Sequence, residues 1–231
     1  MPYAAVIFDF YGTLTPSIPA EVWVEQTARS APPLGIPAPI WCQAFDESFP
    51  ERIVGALGGV EDTLRILARR CGVEPDPVAL SAACAARRSA QSELYALRPD
   101  TLPTLRTLRG LGLPIGVLSD CSVELAEFWG SLPLAGLVDG VVLSCEAGLR
   151  KPDPELFRLA ASSLGVESED CLYIGDGGSH ELSGAAACGM TAVMLRAADW
   201  ADNDVVMREN DWAGLWIPSL SLVPSLLNAP K

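Results

Sequence analysis

Histidine occurs once in this 231-residue chain, as His180, and lysine only as Lys151 and Lys231. One histidine excludes multi-histidine metal centres and leaves a single candidate base for a Ser-His-Asp arrangement. The seven cysteines (42, 71, 84, 121, 145, 171 and 188) form no Cys-x-x-Cys pair, so neither a zinc site nor a disulfide framework follows, and buried free thiols are expected. No stretch approaches the roughly 18 consecutive apolar residues of a membrane span. The opening Met1-Pro2-Tyr3-Ala4-Ala5 lacks the basic segment of a signal peptide. A soluble cytoplasmic protein without a membrane partner is expected. Basic residues are scarce as well: 16 Lys and Arg against 29 Asp and Glu give a net charge of -13. That balance disfavours a nucleic-acid backbone as partner.

Apolar residues are plentiful. They make up 49% of the chain, enough for one large core or a core domain with a smaller companion. Val6-Ile7-Phe8 reads as a fully buried strand that ends on Asp9 and breaks at Gly12-Thr13. From Pro16 to Arg98 no strand is visible. Proline-rich breaks and Gly58-Gly59 separate expected helices at Ala20–Ala31, Ile40–Ser48, Pro50–Leu57, Val60–Cys71 and Pro77–Leu97. In Val60–Cys71 the residues Val60, Leu64, Leu67, Ala68 and Cys71 share one face.

After Thr101 helices alternate with short apolar runs. Expected strands are Pro114–Asp120, Gly140–Ser144, Cys171–Asp176 and Thr191–Arg196; expected helices are Thr101–Leu111, Val123–Trp129, Pro154–Leu164 and Glu181–Cys188. This is the pattern of crossover units around a parallel sheet. The first strand has no local helix partner and is expected to join that sheet, which makes residues 16–98 an insertion. The expected architecture is α/β: a Rossmann-like parallel-sheet core of residues 1–15 and 99–231 with an inserted all-helical cap of residues 16–98. The tail is expected to end in a helix near Leu220–Leu227.

Ligands bind beyond the carboxyl ends of such strands, and those ends carry Asp9, Ser119-Asp120 and Asp176. Lys151, the only internal lysine, stands at a helix start with Asp153 as a cap. A chain that otherwise uses arginine keeps here a compact point charge suited to an anion. Taken singly, each residue could be a cap, a turn or a solvated charge. Together they place carboxylates, a hydroxyl and a lysine on one rim of one sheet.

In order, Asp9-x-x-Gly12-Thr13-Leu14, Leu118-Ser119, Lys151-Pro152 and Gly175-Asp176-x-x-x-x-Glu181 resemble the four motifs of the haloacid dehalogenase-like hydrolase superfamily. The resemblance implies a catalytic set of Asp9, Tyr11, Thr13, Ser119 and Lys151, with Asp9 as nucleophile. It implies Mg²⁺ held by Asp9, the backbone at Tyr11, Asp176 and Glu181, because hard oxygen ligands suit that ion. Gly12, Ser119, Asp120 and Lys151 would bind substrate, with Arg52 of the cap reaching its distal part.

The expected activity is Mg-dependent hydrolysis of a small phosphate monoester by a monomer or homodimer. One departure stands out. Phosphatases of the superfamily place an aspartate, the general acid, where this chain has Tyr11. Asp-x-Tyr-Gly-Thr is similar instead to the 2-haloacid dehalogenases, whose halide leaves without a proton. The fourth motif favours the metal-dependent branch. Carbon–halogen hydrolysis remains the enzymatic alternative, and a non-catalytic binding or regulatory protein the other. Tyr11 and His180 are the candidate replacement acids, although the position of His180 favours a helix-start residue facing solvent.

Overall fold

The computed structural model describes residues 2–199 and 208–228. Six parallel strands form one sheet: β1 (Ala5–Phe8), β2 (Ile115–Ser119), β3 (Gly140–Leu143), β4 (Cys171–Gly175), β5 (Thr191–Leu195) and β6 (Leu215–Ile217). Their order is β3-β2-β1-β4-β5-β6. Strand β1 is central, with Phe8 paired to Val117 on one side and Ile174 on the other. The order reverses at β1, and the carboxyl ends of strands diverge into a crevice at such a switch point. The residue following β1 is Asp9.

Alternation along β1 explains both halves of the core. Val6 and Phe8 face one side, packed with Leu105, Leu108, Ile115 and Val117. Ala5 and Ile7 face the other, with Leu156, Phe157, Tyr173 and Met194. Successive side chains of a strand point to opposite faces, so a run apolar at every position needs cover on both.

Between β1 and β2 the described chain contains helices and turns but no strand. These are α1 (Ala20–Ala28), α2 (Ala38–Glu47), the single turn α3 (Phe49–Arg52), α4 (Val60–Arg70), α5 (Pro77–Glu93) and α6 (Thr101–Gly110). Helices α2, α4 and α5 enclose their own cluster around Trp41, Phe45, Leu64, Leu67 and Leu80. On α4 the buried face is Val60, Thr63, Leu64, Leu67 and Ala68, the face that the apolar spacing marks. Helix α5 begins at Asp76, whose carboxylate accepts the amides of Val78 and Ala79, a capping arrangement.

The remaining helices are α7 (Val123–Phe128), α8 (Ser144–Ala147), α9 (Pro154–Ser163), α10 (Glu181–Ala187) and α11 (Val223–Leu226). The expected helix Pro50–Leu57 is a correction: regular helix stops at Arg52 and the chain continues in turns. Gly55 explains the break. Its φ is +70°, and an added Cβ would lie 2.0 Å from the carbonyl oxygen of Cys145. The turn after α3 thus seats directly on α8, and Ser144 Oγ donates to the Ile53 carbonyl at 2.6 Å across the same contact. The tail helix is short, and β6 adds an edge strand that the sequence reading lacks. All seven cysteines are free. Among the described residues no helix is long and apolar enough to cross a membrane.

Candidate active site

Asp9 continues the central strand, its amide donating to the Ile174 carbonyl at 2.9 Å. The chain then turns tightly through Phe10–Leu14, where Gly12 takes φ +76°. Thr15 Oγ1 accepts the Gly12 amide at 3.1 Å. Arg98 clamps the outside of this turn, donating to the Thr13 carbonyl at 2.9 Å and the Gly12 carbonyl at 2.8 Å. Asp9 is therefore presented by a rigid strand and a braced turn.

Three other strand ends converge on it. Lys151 Nζ lies 2.6 Å from Asp9 Oδ1 and 2.6 Å from Glu181 Oε2. Lys151 arrives just before α9, where Asp153 caps the helix by accepting the Glu155 amide. Its own amide donates to Asp120 Oδ1 at 3.0 Å. Glu181 also accepts the Tyr173 hydroxyl at 2.8 Å and the Gly177 amide at 2.9 Å. Asp176 accepts the Gly178 amide at 3.0 Å and pairs with Arg208 at 2.7 Å.

Asp9, Lys151, Asp176 and Glu181 are all buried. Burial, then the neighbouring Glu181, pushes the Asp9 carboxyl well above its usual range against the opposing pull of Lys151. Asp176 is raised to about 6, again by burial first and Glu181 second. Lys151 is held well above its ordinary value because Asp9 and Glu181 outweigh the burial that would lower it. A lysine gripped by two carboxylates stays charged, and it presents that charge to any anion that reaches Asp9.

Residues 3–189 match the family model of haloacid dehalogenase-like hydrolases. The chain belongs to that family. It is 32% identical over 203 residues to a glyceraldehyde 3-phosphate phosphatase of Methanopyrus kandleri, covering 86% of each chain. It is 34% identical over 104 residues to a phosphoserine phosphatase of Thermus thermophilus, covering 44% of this chain and 41% of that one. A solved 2-haloacid dehalogenase from Pseudomonas syringae pv. Tomato DC3000 superposes with a TM-score of 0.71 at 25% identity, covering 97% of this chain and 98% of the other.

Within this family member, a cavity of about 160 Å³ opens at the strand ends; its lining includes Asp9, Tyr11, Asp120, Lys151 and Asp176 together with Arg52 from the insertion. Thr13 and Ser119 are buried beside the nucleophile's turn and the end of β2 and do not line the cavity. Thr13 Oγ1 has no hydrogen-bond partner among the described residues. Tyr11 packs edge-on against Phe10 and Trp23 and tilted against Tyr95. Burial, followed by Tyr95, pushes its phenol well above the ordinary value of 10, which makes it a poor proton donor at neutral pH. His180 is exposed at the start of α10 and does not line the cavity. Its surroundings match the helix-start reading.

Tyr173 and Arg208 are site residues that sequence reasoning missed. Tyr173 reads as an ordinary strand apolar residue, and Arg208 is brought in by an isolated bridge to Gly178 across the sheet end. No local motif marks either one.

The donor set suits a hard divalent cation. Carboxylate oxygens of Asp9, Asp176 and Glu181 lie within 4.8 Å of one another. Among the described residues Asp9 Oδ2 is buried without a partner, although Oδ1 is taken by Lys151. Among the described residues, ion pairs join these acids to Lys151 and Arg208. All-oxygen ligands with several carboxylates are the chemistry of Mg²⁺ sites.

Proposed function

We propose that this hydrolase cleaves a small phosphate monoester through an aspartyl-phosphate on Asp9, as a cytoplasmic Mg²⁺-dependent enzyme. The observation that carries the reading is the unequal use of the two Asp9 oxygens. Lys151 fixes Oδ1, and Oδ2 is buried and unpartnered among the described residues. One oxygen is oriented and the other is left for the reaction. The names of the Methanopyrus and Thermus relatives point to the same substrate chemistry.

Asp9, Asp176 and Glu181, with the backbone at Tyr11, would hold Mg²⁺, which supplies charge neutralisation of the phosphoryl oxygens. The chain's own residues do the rest. The Asp9 carboxylate attacks phosphorus and the P–O bond to the leaving group breaks. Lys151 places positive charge beside the transferred group throughout. Gly12 and the amides of the adjoining turn leave room for its oxygens, and Asp120 fixes the Lys151 backbone. Thr13 and Ser119 support the two strand ends that deliver these groups. Water then attacks the acyl phosphate and releases phosphate.

The test is phosphate release from a panel of small monoesters with Mg²⁺ and with chelator, in wild type and Asp9→Asn. Release that needs the metal and disappears in Asp9→Asn is expected. Chelator-resistant release removes the metal assignment.

Tyr11 supports a second reading, hydrolysis of a 2-halo acid through a carboxylic ester on Asp9. Its phenol stands where an acid would be, and a halide needs none. The Pseudomonas neighbour bears that activity in its name. Halide release from 2-chloropropionate in the presence of chelator is the discriminating result.

A further inference from the structure

The cavity wall opposite the acidic cluster belongs to the insertion, and its charge is unbalanced. Arg52 closes α3 and lines the cavity that also contains Asp9 and Lys151. Its Nε donates to Ser48 Oγ at 3.0 Å and its Nη2 to the Phe45 carbonyl at 2.9 Å. The guanidinium also lies 4.7 Å from the centroid of the Phe45 ring and 6.0 Å from that of Phe49. An arginine has five N–H donors; among the described residues the Nη1 edge has no hydrogen-bond partner and no ion pair joins Arg52 to a carboxylate.

Arg87, on the other side of Phe45, is different. It lies 4.6 Å from the same ring but is matched by buried Glu124 at 2.6 Å and touches Thr27. Two guanidinium groups therefore share one buried carboxylate. Asp46 also lines this wall, but it is exposed, and water screens its charge. Burial and the neighbouring Arg87 pull Arg52 down to about 10, which still leaves it charged at neutral pH.

We infer that Arg52 is a specificity-determining residue that receives a carboxylate at the end of the substrate remote from the phosphoryl group, so that the enzyme selects small phosphomonoesters bearing a second anion. The inference rests on the phosphatase reading and names its substrate class. A planar, pre-oriented fork with one free edge matches a carboxylate in two parallel hydrogen bonds. The ring stacking and the two fixed donors hold it without help from substrate, so little ordering entropy is spent on binding. The cavity is also small: 160 Å³ against roughly 300–1,000 Å³ for drug-sized sites. A compact molecule therefore spans both ends.

The test compares 3-phosphoglycerate with glyceraldehyde 3-phosphate, which differ only in carboxylate against aldehyde. The wild type is expected to favour the carboxylate by about 10–100-fold in kcat/KM, the range of a charged hydrogen-bond pair. Arg52→Gln should collapse that ratio toward one, and Arg52→Lys, which keeps the charge and loses the fork, should hold an intermediate ratio. Equal wild-type rates, or an equal fall for both substrates in Arg52→Gln, overturn the inference. Phosphate release from neither compound sinks the phosphatase reading instead. The same pair titrated calorimetrically into Asp9→Asn and Asp9→Asn/Arg52→Gln then decides the carboxylate preference: tighter carboxylate binding lost with Arg52 supports it, and equal binding overturns it.

Discussion

Gly12 faces the Asp176 carboxylate so closely that a Cβ added to it would lie 2.2 Å from Oδ2. The turns that follow β1 and its neighbour β4 meet at that point, and the first stays out of the second only because it has no side chain. The residue also sits at φ +76°, a conformation that costs an alanine about 1–2 kcal/mol. Gly12→Ala should therefore lower stability by about that amount and displace the Asp176 carboxylate. Calorimetric Mg²⁺ affinity should fall about 10–100-fold, the usual effect of disturbing a ligand's support. Unchanged affinity would mean that Asp176 does not hold the ion.

Lys151 is bonded to both Asp9 and Glu181. Removing one partner of a buried pair leaves uncompensated charge and typically costs about 3–5 kcal/mol. Lys151→Met should destabilise by roughly that much in denaturant melts and reduce turnover by at least about 10²-fold. Adding Glu181→Gln removes one of the stranded charges. The double variant should recover part of the stability but none of the activity, a coupling that a double-mutant cycle reads directly.

The junction between insertion and core holds a second buried pair, Arg87 on α5 with Glu124 on α7. Burial alone would raise the Glu124 carboxyl, but Arg87, Ser122 and Arg52 together outweigh it and bring it down to about 2. A carboxyl with a depressed folded-state pKa stabilises the fold above its ordinary value of 4.5, and that contribution is lost as pH falls from 4.5 toward 2. The amount is on the order of 3 kcal/mol. Acid unfolding should be shallower in Arg87→Met/Glu124→Leu over that window, because the proton uptake at Glu124 on unfolding is then removed. An identical pH profile would assign the acid sensitivity elsewhere.

The sequence and the structure agree most closely where a residue's role depends on its own strand. Asp9 could be placed because an apolar run ends on it, and Lys151 because it is the only internal lysine. The faces of α4 and the cap at Asp153 follow from spacing within one element. What could not be read depends on contacts between distant segments. Arg87 and Glu124 are 37 residues apart and on different helices; each alone reads as a surface charge. Arg208 reaches Asp176 through a bridge beyond any motif. Gly55 ends the expected helix Pro50–Leu57 because of a carbonyl at Cys145 that local propensity does not register. Strand β6 is three residues long with Leu215 and Trp216 exposed, so it has no alternating pattern to detect.

Tyr11 leaves the phosphatase chemistry with a recognisable kinetic signature. Its ring is packed among Phe10, Trp23 and Tyr95, and burial holds its proton more tightly than in water. An enzyme without an acid at this position must expel the leaving group as an anion, so rate should follow leaving-group basicity steeply. A positioned acid contributes about 10²–10⁴ in rate. Acidic leaving groups need that help least. In single-turnover experiments p-nitrophenyl phosphate should therefore be cleaved about 10²–10⁴ times faster than a simple alkyl phosphate. The difference should appear in formation of the aspartyl-phosphate and not in its hydrolysis, which is common to both substrates. Equal rates of formation would show that another group delivers the proton; Asp120 lines the same cavity, and burial raises its carboxyl above the usual range. Asp120→Asn should then restore the steep dependence that Tyr11 alone predicts.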